Sequence, residues 1–135
     1  MIITQFSGRL GNQLFQYATA RKIAHDNDTE LKFDLKNYSH LPDAHTLQHF
    51  NIIENIATEK EISRLKNKGI IYYLERFLPY HKRRFVWEKN CMFDKNLINI
   101  KIKNMYLRGY FQSWKYFEGL EDIIRKDFTL KESMD

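Results

Sequence analysis

The hydrophobic and polar positions pass through three periods within the first 35 residues. Met1 to Phe6 (MIITQF) is a short apolar run ending at Ser7-Gly8, the form of a buried strand. From Asn12 to about Asp26 the period is helical. Gln13, Gln16, Thr19, Lys22 and Asp26 line one polar stripe, while Leu14, Phe15, Tyr17, Ala18, Ala20, Ile23 and Ala24 cover most of the rest. So broad an apolar face predicts a helix laid on a sheet with neighbours beside it, ending at Asn27-Asp28. Between Glu30 and Leu35 the period becomes two, with Leu31, Phe33 and Leu35 alternating with charged residues. Strand, helix, strand in this short span is a βαβ unit, whose crossover is expected to be right-handed.

Residues 36–57 are less regular and contain Pro42. Thr58-Glu59-Lys60-Glu61 reads as a capping box opening a short helix through Ile62 and Leu65, which Asn67-Lys68-Gly69 ends. Residues 70–96 mix aromatic and basic side chains and give no assignable period. Ile98, Ile100 and Ile102 alternate with Asn99, Lys101 and Lys103, a strand pattern, and Met105 to Phe111 (MYLRGYF) predicts another strand. Ser113 is placed to cap a last helix with Trp114, Phe117, Leu120 and Ile124 on its buried face. There is no internal repeat, low-complexity segment or linker, so the pattern predicts one α/β domain over residues 1–135.

Composition sharpens this only a little. A chain of 135 residues, 43% hydrophobic and 15% aromatic, is large and apolar enough to bury a core. The formal charge of +5 and a sequence pI of about 9.3 favour anionic partners without choosing among them. Cys91 is the only cysteine, which excludes an intrachain disulfide and a cysteine metal cluster. The start of the chain lacks the features of a signal peptide, and no apolar run approaches the ~20 residues that cross a bilayer. The expected location is cytoplasmic, with peripheral attachment to the inner membrane face left open.

The candidate chemistry sits at the first strand-to-helix turn, 6-FSGRLGNQLFQYA-18. In a βαβ unit this loop faces the ligand crevice, and the helix start aims unpaired N–H groups at it. Gly8 and Gly11 would let the backbone turn and approach a ligand, Arg9 would clamp phosphate oxygens, and Asn12 would cap the helix or bond a sugar or phosphate oxygen. The spacing G-x-x-G-N is neither the dinucleotide fingerprint nor a P-loop. On physics alone, turn glycines are the simpler reading.

Two longer segments change that balance. 8-GRLGNQLFQYATARKIA-24 resembles the opening motif of glycosyltransferase family 11, the α-1,2-fucosyltransferases, whose usual form is close to GGLGNQMFQYA. Far downstream, 106-YLRGYFQSWKYFEG-119 is similar to the family's YLxGYxQSxKYF segment, and 31-LKFDL-35 fits its second strand. The resemblance implies an inverting transfer of fucose from GDP-fucose to the 2-hydroxyl of a galactose-containing glycan, in surface glycan synthesis such as that of lipopolysaccharide. It implies a two-domain, GT-B-like enzyme with Rossmann-like domains and the active site between them, of which this chain is the N-terminal part. It places Gly8, Arg9, Gly11 and Asn12 against the donor, with glycine in many members where Arg9 stands here. Asp26-Asn27-Asp28, the one Asp-x-Asp string in the sequence, reads as the exit of the first helix and has no clustered ligands beside it, so the reaction is expected to need no metal and no cofactor beyond the donor.

The family's H-x-R-R-x-D motif is expected downstream of YLRGYFQS, beyond Asp135. 81-HKRRFV-86 is the nearest string, but it precedes that segment and has Val86 at the aspartate position, so it reads as a coincidental basic cluster. Activity of this length of chain alone is therefore expected to be weak or absent. Asp34, at the end of the second strand, and Arg108, between Tyr106 and Tyr110, are candidates for the acceptor or cleft, with turn formation and surface stacking as the plainer alternatives. Trp114 is expected in the core, and the five histidines are expected to be structural, His45 and His49 at i, i+4 included. No residue stands out as a general base, and no catalytic residue is assigned. The aromatic and basic stretch Tyr72 to Phe85 would suit single-stranded nucleic acid or an acidic membrane, though a solvated face is the simpler reading and no nucleic-acid partner is expected. A non-catalytic carbohydrate- or nucleotide-binding fragment is the alternative to an enzyme.

Overall fold

The computed structural model describes residues 1–66, 69–88 and 90–132. Four short strands, β1 (Ile2–Gln5), β2 (Leu31–Asp34), β3 (Phe85–Trp87) and β4 (Met105–Arg108), form one sheet in the order β2-β1-β4-β3. Every neighbouring pair is parallel, with Ile2 beside both Leu31 and Met105, and Phe85 beside Tyr106. A parallel sheet buries both faces, which is why its strands read as apolar runs. Ile2, Val86, Met105 and Leu107 join a core under the first helix, α1 (Leu10–Asp26). Ile3, Phe85 and Tyr106 point to the other face, where they meet Ala57 together with Ile62 and Leu65 of α2 (Glu59–Leu65) and Tyr72 of α3 (Ile70–Glu75). A fourth helix, α4 (Glu121–Asp127), adds Ile124 to the α1 side. The result is an open parallel α/β sheet with helices on both faces.

The predicted βαβ unit is present, since β1 and β2 are parallel neighbours joined through α1. α1 begins at Leu10, two residues before the predicted start, and leaves through Asn27 and a left-handed Asp28 (φ 48°). The stripe read as polar does not face water: Gln13 and Gln16 are 0% exposed and Thr19 is 1% exposed. Loops fold over this side of the helix, and the two amides supply partners to their backbone. The capping box is formed, with Glu61 N–H donating to Thr58 Oγ1 (3.2 Å) and Thr58 N–H to Glu61 Oε2 (2.9 Å). α2 ends at Leu65 with Lys66 as its C-cap; Asn67 and Lys68, predicted to end it, lie outside the described residues.

Three expectations are corrected. Ile98 to Lys103 is not a strand, because Asn99 turns left-handed (φ 55°) and breaks the extended run. The Asn27 side chain takes the role of a neighbouring strand there, donating to Ile100 O (2.9 Å) and accepting from Ile102 N–H (2.9 Å). The last helix is two pieces: a 3-10 turn over Trp114–Phe117, capped by Ser113 as expected, and α4, separated at Gly119 (φ 92°). That break turns Trp114 outward, 56% exposed, and Tyr116 takes the core position instead.

Candidate functional site

In open α/β sheets, ligands bind beyond the carboxyl ends of the strands, where the chain reverses its direction of strand addition. Here β2 lies on one side of β1 and β4 on the other, so that point falls between β1 and β4. The loops leaving these strands, Phe6 to Arg9 and Gly109 to Gln112, meet there although about a hundred residues separate them. Gln16 joins them by accepting from Ser7 N–H (3.1 Å) while its amide donates to Ser7 Oγ (2.9 Å) and Gly109 O (3.0 Å). A second link is the Gln112 amide donating to Asn12 Oδ1 (2.7 Å).

The first loop turns at Gly8, which is left-handed (φ 74°); a Cβ there would lie 2.3 Å from Asn12 Nδ2. Tyr38 holds the same turn from outside, its hydroxyl donating to Gly8 O (2.8 Å), and burial raises the pKa of that hydroxyl. Gln13 braces turn and neighbours together, donating to Ala44 O (2.7 Å) and Gly8 O (3.2 Å) and accepting from Thr46 N–H (3.1 Å). Gly11 is different from Gly8. It lies in the first turn of α1, and a Cβ built on it would meet nothing within 4 Å.

Arg9 is the N-cap residue of α1, exposed, with no side-chain cap. The first turn contains no acidic residue. A cation at the positive end of a helix is electrostatically unfavourable by itself, and it becomes favourable when both face an anion. Asn12 sits at the third helical position rather than capping, with its side chain directed to Gln112.

The second loop is shaped by Glu88, just past β3. Its carboxylate oxygens accept from Tyr110 N–H (3.1 Å) and Phe111 N–H (3.1 Å), across a left-handed Phe111 (φ 50°). Between the loops opens a crevice of about 370 Å³, walled by Gln5, Ser7 and Asn37 on one side and by Trp87, Arg108 and Tyr110 on the other. Arg108 places its guanidinium 4.1 Å from the centre of the Trp87 ring, not between the tyrosines as its sequence position suggested. Asp34 is 1% exposed and does not line this crevice; Tyr106 donates to its Oδ2 (2.5 Å) and Lys36 N–H to its Oδ1 (3.0 Å). Burial, and then this carboxylate, raise the Tyr106 pKa far above its ordinary value.

The 81–86 string lies elsewhere. Arg83 donates to Leu78 O and Arg76 O, and Arg84 pairs with Glu75, where β3 begins rather than ends. His45 is buried against Phe6 with neither ring nitrogen hydrogen-bonded, and burial holds its pKa below the usual value. Among the described residues, no group of three or more His, Cys, Asp or Glu converges to hold a metal. Reading the sequence missed Gln13, Gln16, Tyr38 and Glu88. For the glutamines the available signal was an amide repeated every three residues inside the glycine-rich segment.

In this architecture a crevice at the carboxyl edge of the sheet is the place where ligands bind. The comparisons are more specific. Over 133 residues, 96% of its length, the chain is 25% identical to an alpha-1,2-colitosyltransferase of Escherichia coli. It spans 45% of that protein's length. No model of a known protein family and no solved structure matches the chain. The likeness supports a glycosyltransferase at this level and does not extend to the sugar transferred. No helix among the described residues is long and apolar enough to cross a membrane.

Proposed function

We propose that the chain is a Rossmann-like, donor-facing domain of a two-domain inverting glycosyltransferase, of the α-1,2-fucosyltransferase kind. It would transfer fucose from GDP-fucose to the 2-hydroxyl of a galactose-containing glycan. The observation that carries this reading is the convergence of 8-GRLGNQ-13 and 109-GYFQS-113, which Gln16 and the Asn12–Gln112 bond join at the carboxyl edge of the sheet. These are the two segments on which the family resemblance rests.

The geometry suits the chemistry. In the inverting step the acceptor hydroxyl attacks the anomeric carbon from the face opposite the diphosphate, its proton passes to a base, and the bond to the β-phosphate oxygen breaks. Charge then grows on that oxygen. The free N–H groups of the first turn of α1 are donors fixed before the reaction, and the exposed Arg9 beside them adds a cation, which is how such charge is stabilised without a metal. Gly8, Arg9, Gly11 and Asn12 do not line the crevice, so in this reading the diphosphate lies against the open first turn of α1, where Asn12 bonds a donor oxygen, and the sugar reaches into the crevice toward Arg108 on Trp87. Asp34 acts as a positioning residue, tying the end of β2 to Tyr106 within β4.

The relative's name supports a second donor. Colitose is fucose without its 3-hydroxyl, so one crevice shape accommodates either sugar. Amide NMR titration of the chain with GDP, GDP-fucose and the 3-deoxy counterpart tests both readings. The expected result is shifts at Ser7–Gln13 and Gly109–Gln112, weakened about tenfold by Asn12→Ala, the loss of roughly one charge-assisted hydrogen bond. The sugar that adds shifts beyond GDP identifies the donor. No shifts in these two loops at millimolar ligand would overturn the assignment of the crevice.

A further inference from the structure

α3 is amphipathic in the wrong direction for a globular core. Ile70, Tyr73 and Leu74 recur at i, i+3 and i+4, the spacing of a buried helical stripe, and Phe77 extends the apolar patch in the turn just past the helix. Yet they are 73%, 60%, 61% and 89% exposed, with Ile71 and Leu78 also exposed beside them. The opposite side of the segment is fixed to the protein. Tyr72 packs edge-on against Phe85 (5.4 Å), Glu75 pairs with Arg84 (3.1 Å), and the Arg83 guanidinium bonds Arg76 O (2.6 Å) and Leu78 O (2.7 Å). An apolar stripe is thus held outward by polar ties on its inner side, and a patch of this kind marks an interaction surface.

Charge surrounds it. From residue 60 to residue 84 the sequence has eight lysines and arginines against Glu61 and Glu75, a net +6 in a chain whose total is +5. Arg64, Lys82, Arg84 and Lys103 line a neighbouring opening of about 420 Å³ at the amino edge of the sheet. We infer that this face docks on an anionic lipid bilayer, with the stripe entering the headgroup boundary and the basic side chains meeting lipid phosphates. Charge complementarity selects this occupant. A two-fold contact with a second copy would set +6 against +6. A nucleic-acid strand could stack on Tyr73 and Phe77 but would leave the exposed aliphatic side chains Ile70, Ile71, Leu74 and Leu78 in water, whereas a bilayer takes up the whole patch. The inference does not depend on what the crevice binds, because none of the stripe or basic side chains that it uses lines the crevice.

Co-sedimentation of the chain with phosphatidylcholine vesicles, with and without phosphatidylglycerol, tests it. The expected result is binding to the anionic vesicles alone. Leu74→Ser with Phe77→Ser should lower it at least tenfold, and Arg64→Glu with Lys82→Glu should abolish it, with circular dichroism melts unchanged because all four side chains are exposed. Three outcomes would overturn it: no binding to anionic vesicles at about 0.15 M salt, binding unaffected by the serine pair, or concentration-dependent self-association that the serine pair removes in place of lipid binding.

Discussion

Gly8 and Gly11 look alike in the sequence and have opposite requirements in the structure. Gly8 is left-handed and tight against Asn12, so Gly8→Ala is expected to cost about 1–3 kcal/mol and to push the Asn12 side chain aside. Gly11 is helical with open space beside it, so Gly11→Ala should stabilise the protein by up to about 1 kcal/mol through helix propensity. If the first turn receives the donor, that same methyl group weakens donor binding. Thermal melts and the nucleotide titration on the two variants check this. A stabilised Gly11→Ala that binds GDP-fucose as well as the parent would remove Gly11 from the site. The motif was legible before the structure. The dihedral angle that separates one glycine from the other was not, since local pattern carries no φ.

Among the elements, those with a local cause were legible. The capping box, the βαβ unit and the strand at Met105 each follow from adjacent residues. α3 and β3 were not, because β3 is three residues long and the period around it is mixed with basic side chains. The isoleucine alternation at 98–102 misled for a related reason. Its hydrogen-bond partner is a side chain, Asn27, contributed from more than seventy residues away. Asn27 also bonds Ile23 O (2.8 Å) and is itself buried. Asn27→Ala leaves Ile100 O and Ile102 N–H without these partners and is expected to cost about 2–4 kcal/mol. Urea denaturation measures that loss, and hydrogen exchange should accelerate at the Ile102 amide while β1 stays protected. Uniform exchange across both would show that the loop is held by something other than this amide.

For the whole molecule, the α/β class was legible and the meeting of the two motif segments was not, because strand order is a long-range property. The buried and half-buried tyrosines are a second long-range feature. Five of the eight, Tyr17, Tyr38, Tyr80, Tyr106 and Tyr116, have raised pKa values, burial being the main cause in each, and Tyr80 is pushed up to about 12. The folded state therefore holds protons that the unfolded chain releases near pH 10. The stability that these groups contribute is intact below pH 10 and is lost as pH rises through 10 to 12 and beyond. Urea midpoints at successive alkaline pH values should fall together with absorbance changes from tyrosinate. A midpoint constant up to about pH 12 would contradict the burial of these hydroxyls.

Cys91 gives the molecule an unplanned convenience. It is the single thiol in the chain, it is exposed, and it stands on the wall of the crevice beside Asn90 and Tyr110. A maleimide dye therefore attaches at one position without any engineered substitution, and its emission reports on whatever enters between β1 and β4.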